Sequence, residues 1–210
     1  MSMLKKEEKE KDYLFVESDE YYLIENKEMR EVKKEEPESS NRKANKELFI
    51  YSDGSVILRK KRKNSGGWAV CIYKRGEIIK TLSGSALDVT SNEMELEGCL
   101  QALLYAHKYK DTYSITLNLD CDYLIEGIAV NYRAWQNQGF RTRAKKRPVS
   151  YLEKWHKIMA LIETMPEIKI VKVSGHSGVE GNEIVDKLAR KIAHERMRKE
   201  IENSEKNKEL

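Results

Sequence analysis

The stretch ELFIYSDGS, residues 47–55, decides how the chain folds. Leu48, Phe49, Ile50 and Tyr51 put bulky side chains on both faces of a strand, which predicts a central strand covered from both sides. Such a run does not ordinarily finish on a carboxylate, because aspartate is a poor strand residue and its charge is costly to bury alone. The plain reading is that Asp53 and Gly54 form a turn. The alternative is that Asp53 is a ligand held by a rigid strand.

Outward from this stretch, composition narrows the classes. A chain of 210 residues allows one ordinary domain plus an extension, or two small domains. No apolar run approaches the roughly 20 residues that cross a bilayer, and the opening MSMLKKEEKEKD lacks the apolar centre of a secretory signal. Cys71, Cys99 and Cys121 are odd in number, sit in apolar stretches and lack metal-ligand spacing, which predicts reduced core residues of an intracellular, cytoplasmic protein. Charge is unevenly placed. Residues 1–47 hold 11 Lys and Arg against 14 Asp and Glu, a net of −3, and the remainder holds 28 against 21, a net of +7. The basic part is the part expected to fold, and it favours a polyanionic partner without proving one.

Residues 1–46 alternate Lys and Glu blocks and are expected to be a mostly disordered, charged extension. Within them DYLFVESDEYYLIE has two apolar clusters that suit a short hairpin or a docking segment, although a lone hairpin is marginal in water. From Glu47 the pattern is α/β: strands ELFIYSD, GGWAVCIY and EIIKTLSG, with KRGE as the turn between the last two. A helix is predicted from about Asn92 to Tyr109, where Leu96, Cys99, Leu100, Leu103 and His107 recur at helical spacing. The strand YSITLNLD again ends on aspartate. A helical segment from Asp122 to about Gln136, a basic crossover from Gly139 to Pro148, a helix carrying Trp155 and Ile158, the strand IKIVKVS, and a last helix from near Asn182 complete the order. Strands reached through helices need a crossover and should lie parallel to the first. The prediction is a five-stranded mixed sheet with helices on both faces, over residues 47–198, followed by a charged tail at 199–210.

Four acids stand out, and each has an ordinary explanation. Asp53 suits a turn and Asp120 a helix cap. Thr90 and Glu93 already form a T-x-x-E pair, which leaves Glu95 without a capping role. Glu183 is better placed than Asp186 to serve a helix dipole. Taken together they converge, because sites in an open α/β sheet gather at the carboxyl ends of strands. Four anions in one cleft persist only with protons or cations between them, and hard oxygen ligands select Mg²⁺ or Mn²⁺.

The motifs YSDGS, SNEMELEGCLQAL, LNLDCDYLIEGI and GHSGVEGNEIVDKLAR, in this order and spacing, resemble the four acidic motifs of type 1 ribonuclease H. The resemblance covers about Glu47 to Arg198. It implies a ribonuclease H-like fold and an endonuclease that hydrolyses the RNA strand of RNA/DNA hybrids, leaving 5′-phosphate and 3′-hydroxyl ends. By position it implies Asp53, Glu95, Asp120 and Asp186 as ligands of two Mg²⁺ ions, with Mn²⁺ able to substitute. His176 matches the loop histidine that assists proton transfer or product release, the plain alternative being a solvent-exposed loop histidine with no duty. The crossover resembles the family's basic protrusion, which implies hybrid contacts from Arg133, Trp135, Phe140, Arg141, Arg143, Lys145, Lys146 and Arg147. Thr90 and Asn92 match positions that meet a DNA phosphate and an RNA 2′-OH.

This sequence departs from the family pattern in a longer basic loop, VILRKKRKNSGG, and in extra acids at Glu93 and Asp122. An initiating Met and charged leader suit a free-standing enzyme, with origin from a reverse-transcriptase polyprotein the open alternative; no obligatory protein partner is evident in the residues, which suits a monomer. Two rival readings stay open on the residues alone: a nuclease or transposase of the same superfamily acting on DNA, and a silent nucleic-acid-binding module.

Overall fold

The β-branched and aromatic residues after Lys46 build the strands that position everything else. The computed structural model describes residues 46–206 apart from 61, 143–145 and 176–177, and the backbone of 14–18, 22–25 and 28–31. Three short strands come first, β1 (Leu14–Ser18), β2 (Tyr22–Glu25) and β3 (Glu28–Glu31). The main strands are β4 (Glu47–Ile57), β5 (Ser65–Lys74), β6 (Glu77–Leu87), β7 (Ser114–Leu119) and β8 (Lys169–Lys172). The helices are α1 (Ser91–Tyr109), α2 (Asp122–Glu126), α3 (Tyr132–Asn137), α4 (Leu152–Glu163) and α5 (Glu180–Lys206), with a π-helical turn, Gly127–Asn131, joining α2 to α3.

β4, β5 and β6 form an antiparallel meander, while β7 and β8, reached through helices, lie parallel to β4. This is the five-stranded mixed sheet expected from the sequence. A sixth strand joins it, because β1 pairs antiparallel with the outer edge of β6. The two apolar clusters of the extension therefore do not pair with each other: the first lies on β6, and the second forms a hairpin from β2 and β3. Composition could not show the pairing of β1, since its ladder partner lies far away in sequence. At the other end α5 runs through Arg198 to Lys206, so the expected boundary at 198/199 falls inside a helix.

Both faces are covered. On one, Leu48, Ile50 and Leu117 pack beneath α1 and α4 with Trp155 and Ile158, all almost fully buried. On the other, Ala69, Cys71 and Tyr73 of β5 meet Ile184, Val185 and Ala189 of α5. The KRGE turn has Arg75 and Gly76 both at positive φ, 57° and 83°, as a tight hairpin requires.

The opening aspartate is not a strand end. β4 continues four residues past Asp53, pairing with β5 as far as Ile57 opposite Ser65. Its parallel ladder with β7, however, stops at Tyr51 opposite Asn118. Asp53 thus sits where the central strand keeps one neighbour and loses the other. α1 closes over the same place: a Cβ at Gly54 would lie 2.3 Å from the Glu95 nitrogen and 2.4 Å from the Met94 carbonyl carbon.

Because those neighbours are backbone atoms and cannot rotate away, Gly54→Ala is expected to cost roughly 2–4 kcal/mol. Gly76→Ala, in an open turn with nothing within 4 Å, is expected to cost about 1 kcal/mol, from its positive φ alone. Urea unfolding of both variants checks this, and equal losses would show that α1 does not press on β4 as described.

Candidate active site

Three elements that are distant in sequence bring one carboxylate each to the gap beside β7. Asp53 comes from β4, Glu95 from the second turn of α1, and Asp120 from the residue after β7. One oxygen from each lies within 4.8 Å of the others, a grouping able to hold a metal ion. Asp53 and Glu95 are only 6% and 9% exposed. They floor an open cleft of about 410 Å³ whose wall includes Ser55, Val56, Asn182 and Asp186.

Local chemistry fixes each side chain. The Thr90 hydroxyl accepts from the Glu93 N–H at 3.2 Å and caps α1, which leaves Glu95 free of capping duty as the sequence suggested. Asp120 caps nothing: the residue before α2 is Cys121, with no side-chain cap. Instead Asn182 donates from Nδ2 to Asp120 Oδ2 at 2.9 Å and orients it. Asp186 lies on the cleft wall outside the three-carboxylate group, with Oδ1 accepting from Arg190 Nε at 2.8 Å. Of the extra acids, Asp122 pairs with Lys172 and Glu93 is buried.

Electrostatics make the cluster proton-hungry. Burial, then the charges of Asp120 and Asp186, push the Asp53 carboxyl from its ordinary 3.8 up to about 7. Burial and the charges of Asp53 and Asp120 likewise raise Glu95 well above the carboxylate range. Glu95 Oε2 is shielded from solvent and meets no hydrogen-bond partner among the described residues. A buried carboxylate oxygen without a partner and beside two other acids suits a cation.

The remaining candidates surround this floor. Thr90 and Asn92 are exposed at the start of α1. His176 lies outside the described residues; a Cβ on Gly175, just before it, would meet Asp120 Oδ2 at 3.3 Å, so its loop departs from beside the cluster. Arg133 of α3 and, in the crossover, Arg141, Lys146 and Arg147 are exposed, while Arg143 and Lys145 lie outside the described residues. The crossover is closed on itself by Val149 N–H to Phe140 O at 3.0 Å and Thr142 N–H to Arg147 O at 2.8 Å. Trp135 and Phe140 are half-buried. Trp135 stands edge-on to Trp155 at 5.5 Å, and Phe140 packs on Tyr132 and His156 at 5.7 and 4.7 Å. These aromatics brace the crossover from below.

Sequence reasoning missed Asn182 and Tyr151. The last helix is expected from the sequence to start near Asn182, but α5 begins two residues earlier, and the Asn182 side chain reaches Asp120. Tyr151, at a left-handed φ of 57° before α4, shares a 2.6 Å hydrogen bond between its hydroxyl and that of Thr90. Nothing in local sequence pairs those two, which are 61 residues apart.

Comparison with known proteins agrees with the geometry. The RNase H family profile matches residues 45–194. The chain is 36% identical over 144 residues to a ribonuclease H of Verminephrobacter eiseniae, covering 68% of this chain and 88% of that one. A ribonuclease H of Thermosynechococcus vestitus is 33% identical, with 69% and 87% covered. Among solved structures, a foamy viral protease-reverse transcriptase in complex with an RNA/DNA hybrid matches at a TM-score of 0.64 and 21% identity, over 81% of this chain and 23% of that one. A type 1 RNase H with the type 2 active-site motif matches at 0.59 and 22%, over 72% and 74%.

The crowding of carboxylates has a thermodynamic consequence. Asp53 keeps its proton up to about pH 7 in the folded chain but loses it near its ordinary 3.8 when unfolded. Its contribution to stability is complete below that lower value and is lost as pH rises through about 7. The metal-free protein should therefore melt lower at pH 8 than at pH 5. Asp53→Asn should remove much of this slope and raise the pH 8 melting temperature by about 5–10 °C. Mn²⁺ should rescue the unaltered chain at pH 8 and not the variant, whereas identical pH profiles of the two proteins would refute the coupling.

Proposed function

The chain belongs to the ribonuclease H family, and on that premise we propose that it hydrolyses the RNA strand of RNA/DNA hybrids, leaving 5′-phosphate and 3′-hydroxyl ends. One observation carries this reading: Asp53, Glu95 and Asp120, from three separate elements, converge within 4.8 Å on the floor of an open cleft. The donor set is all oxygen and includes an unpartnered buried Glu95 oxygen, which fits a hard divalent cation, Mg²⁺ with Mn²⁺ as a substitute. Two such ions, when bound by Asp53, Glu95, Asp120 and Asp186, supply water activation and charge stabilisation at the leaving 3′ oxygen.

The chain's own groups do the rest. Asp53 is held by a strand buried on both faces, so it cannot drift as the site loads. Asn182 keeps one oxygen of Asp120 engaged and thereby fixes where the other points. Arg190 draws Asp186 toward the rim, where it is 18% exposed and accessible from solvent. His176, from the loop that leaves beside Asp120, assists proton transfer or product departure. Thr90 and Asn92 meet the two strands of the hybrid across the start of α1. Arg133, Arg141, Arg143, Lys145, Lys146 and Arg147 hold backbone phosphates, with Trp135 and Phe140 bracing them. The enzyme works as a monomer in the cytoplasm, where its three free cysteines stay reduced.

Cleavage of an end-labelled RNA strand, annealed to DNA or to RNA or left single, tests the reading. Cutting is expected only in the hybrid and only with divalent metal. Asp53→Asn or Asp120→Asn should lower the rate by a factor on the order of 10³ or more with the fold intact, and His176→Ala by far less. Metal-dependent cutting of duplex DNA in place of the hybrid would overturn the substrate, and wild-type-like rates from either aspartate variant would overturn the site.

A further inference from the structure

The loop between β4 and β5 is the most strongly charged feature that the proposed site does not use. Residues 58–64, LRKKRKN, hold five cations in seven positions and no acid. Lys60, Arg62 and Lys63 are exposed, and Leu58, just before them, is 80% exposed. Among the described residues, no carboxylate forms an ion pair with Arg59, Lys60, Arg62 or Lys63. Like charges crowded on a short loop repel one another, and a polyanion relieves that repulsion.

Its placement is informative. Ser55 and Val56 line the catalytic cleft, and the ladder ends at Ile57 opposite Ser65, so the loop begins where the cleft wall stops. Asn64 ties it down twice. Its Oδ1 accepts from the Arg59 N–H at 3.1 Å, and its carbonyl accepts from the Asp88 N–H at 2.8 Å. Two residues beyond Asp88, Thr90 bonds to Tyr151, which follows the basic crossover. The short segment leading into α1 is thus joined to one basic element through Asp88 and to the other through Thr90.

We propose that the β4–β5 loop is a second phosphate-gripping element, which holds the backbone of the same hybrid duplex in concert with the crossover. The inference rests on the hybrid-cleaving reading above. A duplex presents one negative charge per about 1.7 Å of axis, so a duplex crossing the start of α1 brings phosphates to both elements. Contacts of this kind add affinity and position without reading sequence. Leu58, apolar and exposed beside the first of these cations, suits contact with the sugar face of a groove.

The test replaces Arg59, Lys60, Arg62 and Lys63 with Gln and follows binding of a fluorescein-labelled RNA/DNA hybrid by anisotropy in chelator, across about 50–200 mM KCl. The slope of log affinity against log salt should flatten by about 0.9 for each phosphate that the variant no longer neutralises, and by roughly 2 or more in total. Affinity at the low-salt end should fall at least about tenfold. Arg141, Lys146 and Arg147 changed to Gln serve as the comparison and should flatten the slope independently. Melting temperature verifies folding; if the fourfold variant does not fold, Arg62→Gln with Lys63→Gln carries the test, with a smaller flattening. An unchanged slope and affinity in the loop variant, beside a loss in the crossover variant, would overturn the proposal. Failure of the unaltered chain to cut hybrid in Mg²⁺ would sink the hybrid-cleaving reading, while the slope comparison would still report on the loop.

Discussion

Mutual repulsion among three carboxylates is the constraint around which this molecule is arranged. Asp53, Glu95 and Asp120 would separate if their supports could yield. None can: β4 is sandwiched between two helical layers, α1 presses onto Gly54, and Asp120 is tethered to α5 through Asn182. Packing energy spent elsewhere in the core holds an arrangement that is unfavourable by itself. Protons taken up by Asp53 and Glu95 relieve that repulsion in the metal-free chain, and a divalent cation would take their place.

The same constraint explains why the sheet is built as it is. A parallel ladder that ended level with its neighbour would leave no room between β4 and the end of β7. Here the β4–β7 pairing stops at Tyr51 while β4 and β5 continue, which opens a gap bounded by backbone on one side and by the start of α1 above. Around this gap the chain sets its two basic elements. Cations stand on the crossover and on the β4–β5 loop, and both are joined to the segment entering α1 through single hydrogen bonds, at Thr90 and Asp88.

Much of this was legible in the sequence, for reasons that can be named. Alternation in YSITLNLD placed Asp120 after a strand, and a buried run placed Asp53 on a central one, because side-chain burial writes itself locally. The continuation of β4 was not legible: GSVI after Asp53 reads as a turn unless its partner, the stretch from Ser65 to Trp68, is known. The sequence puts the start of the last helix near Asn182, whereas that start is set by the Val179 carbonyl, which takes the N–H groups of Asn182 and Glu183 at 3.0 Å. Trp135 and Phe140 stood out among cations, yet only the fold reveals Trp155 and His156 beneath them. The apolar clusters within residues 14–31 suited a hairpin or a docking segment, but the pairing of β1 with β6 was not legible, since so distant a ladder partner leaves no trace in local composition.

The central claim, that these carboxylates form one cation site held ready by the fold, is tested most directly by calorimetric titration of Mn²⁺ into the metal-free chain near pH 6.5, in buffers of different ionisation heat. Binding should expel protons shared by the acids, so the observed heat should depend on the buffer, and Asp53→Asn should lose both the tight binding and most of the proton release. Mn²⁺ binding that releases no protons and survives Asp53→Asn would place the cation elsewhere and contradict the account.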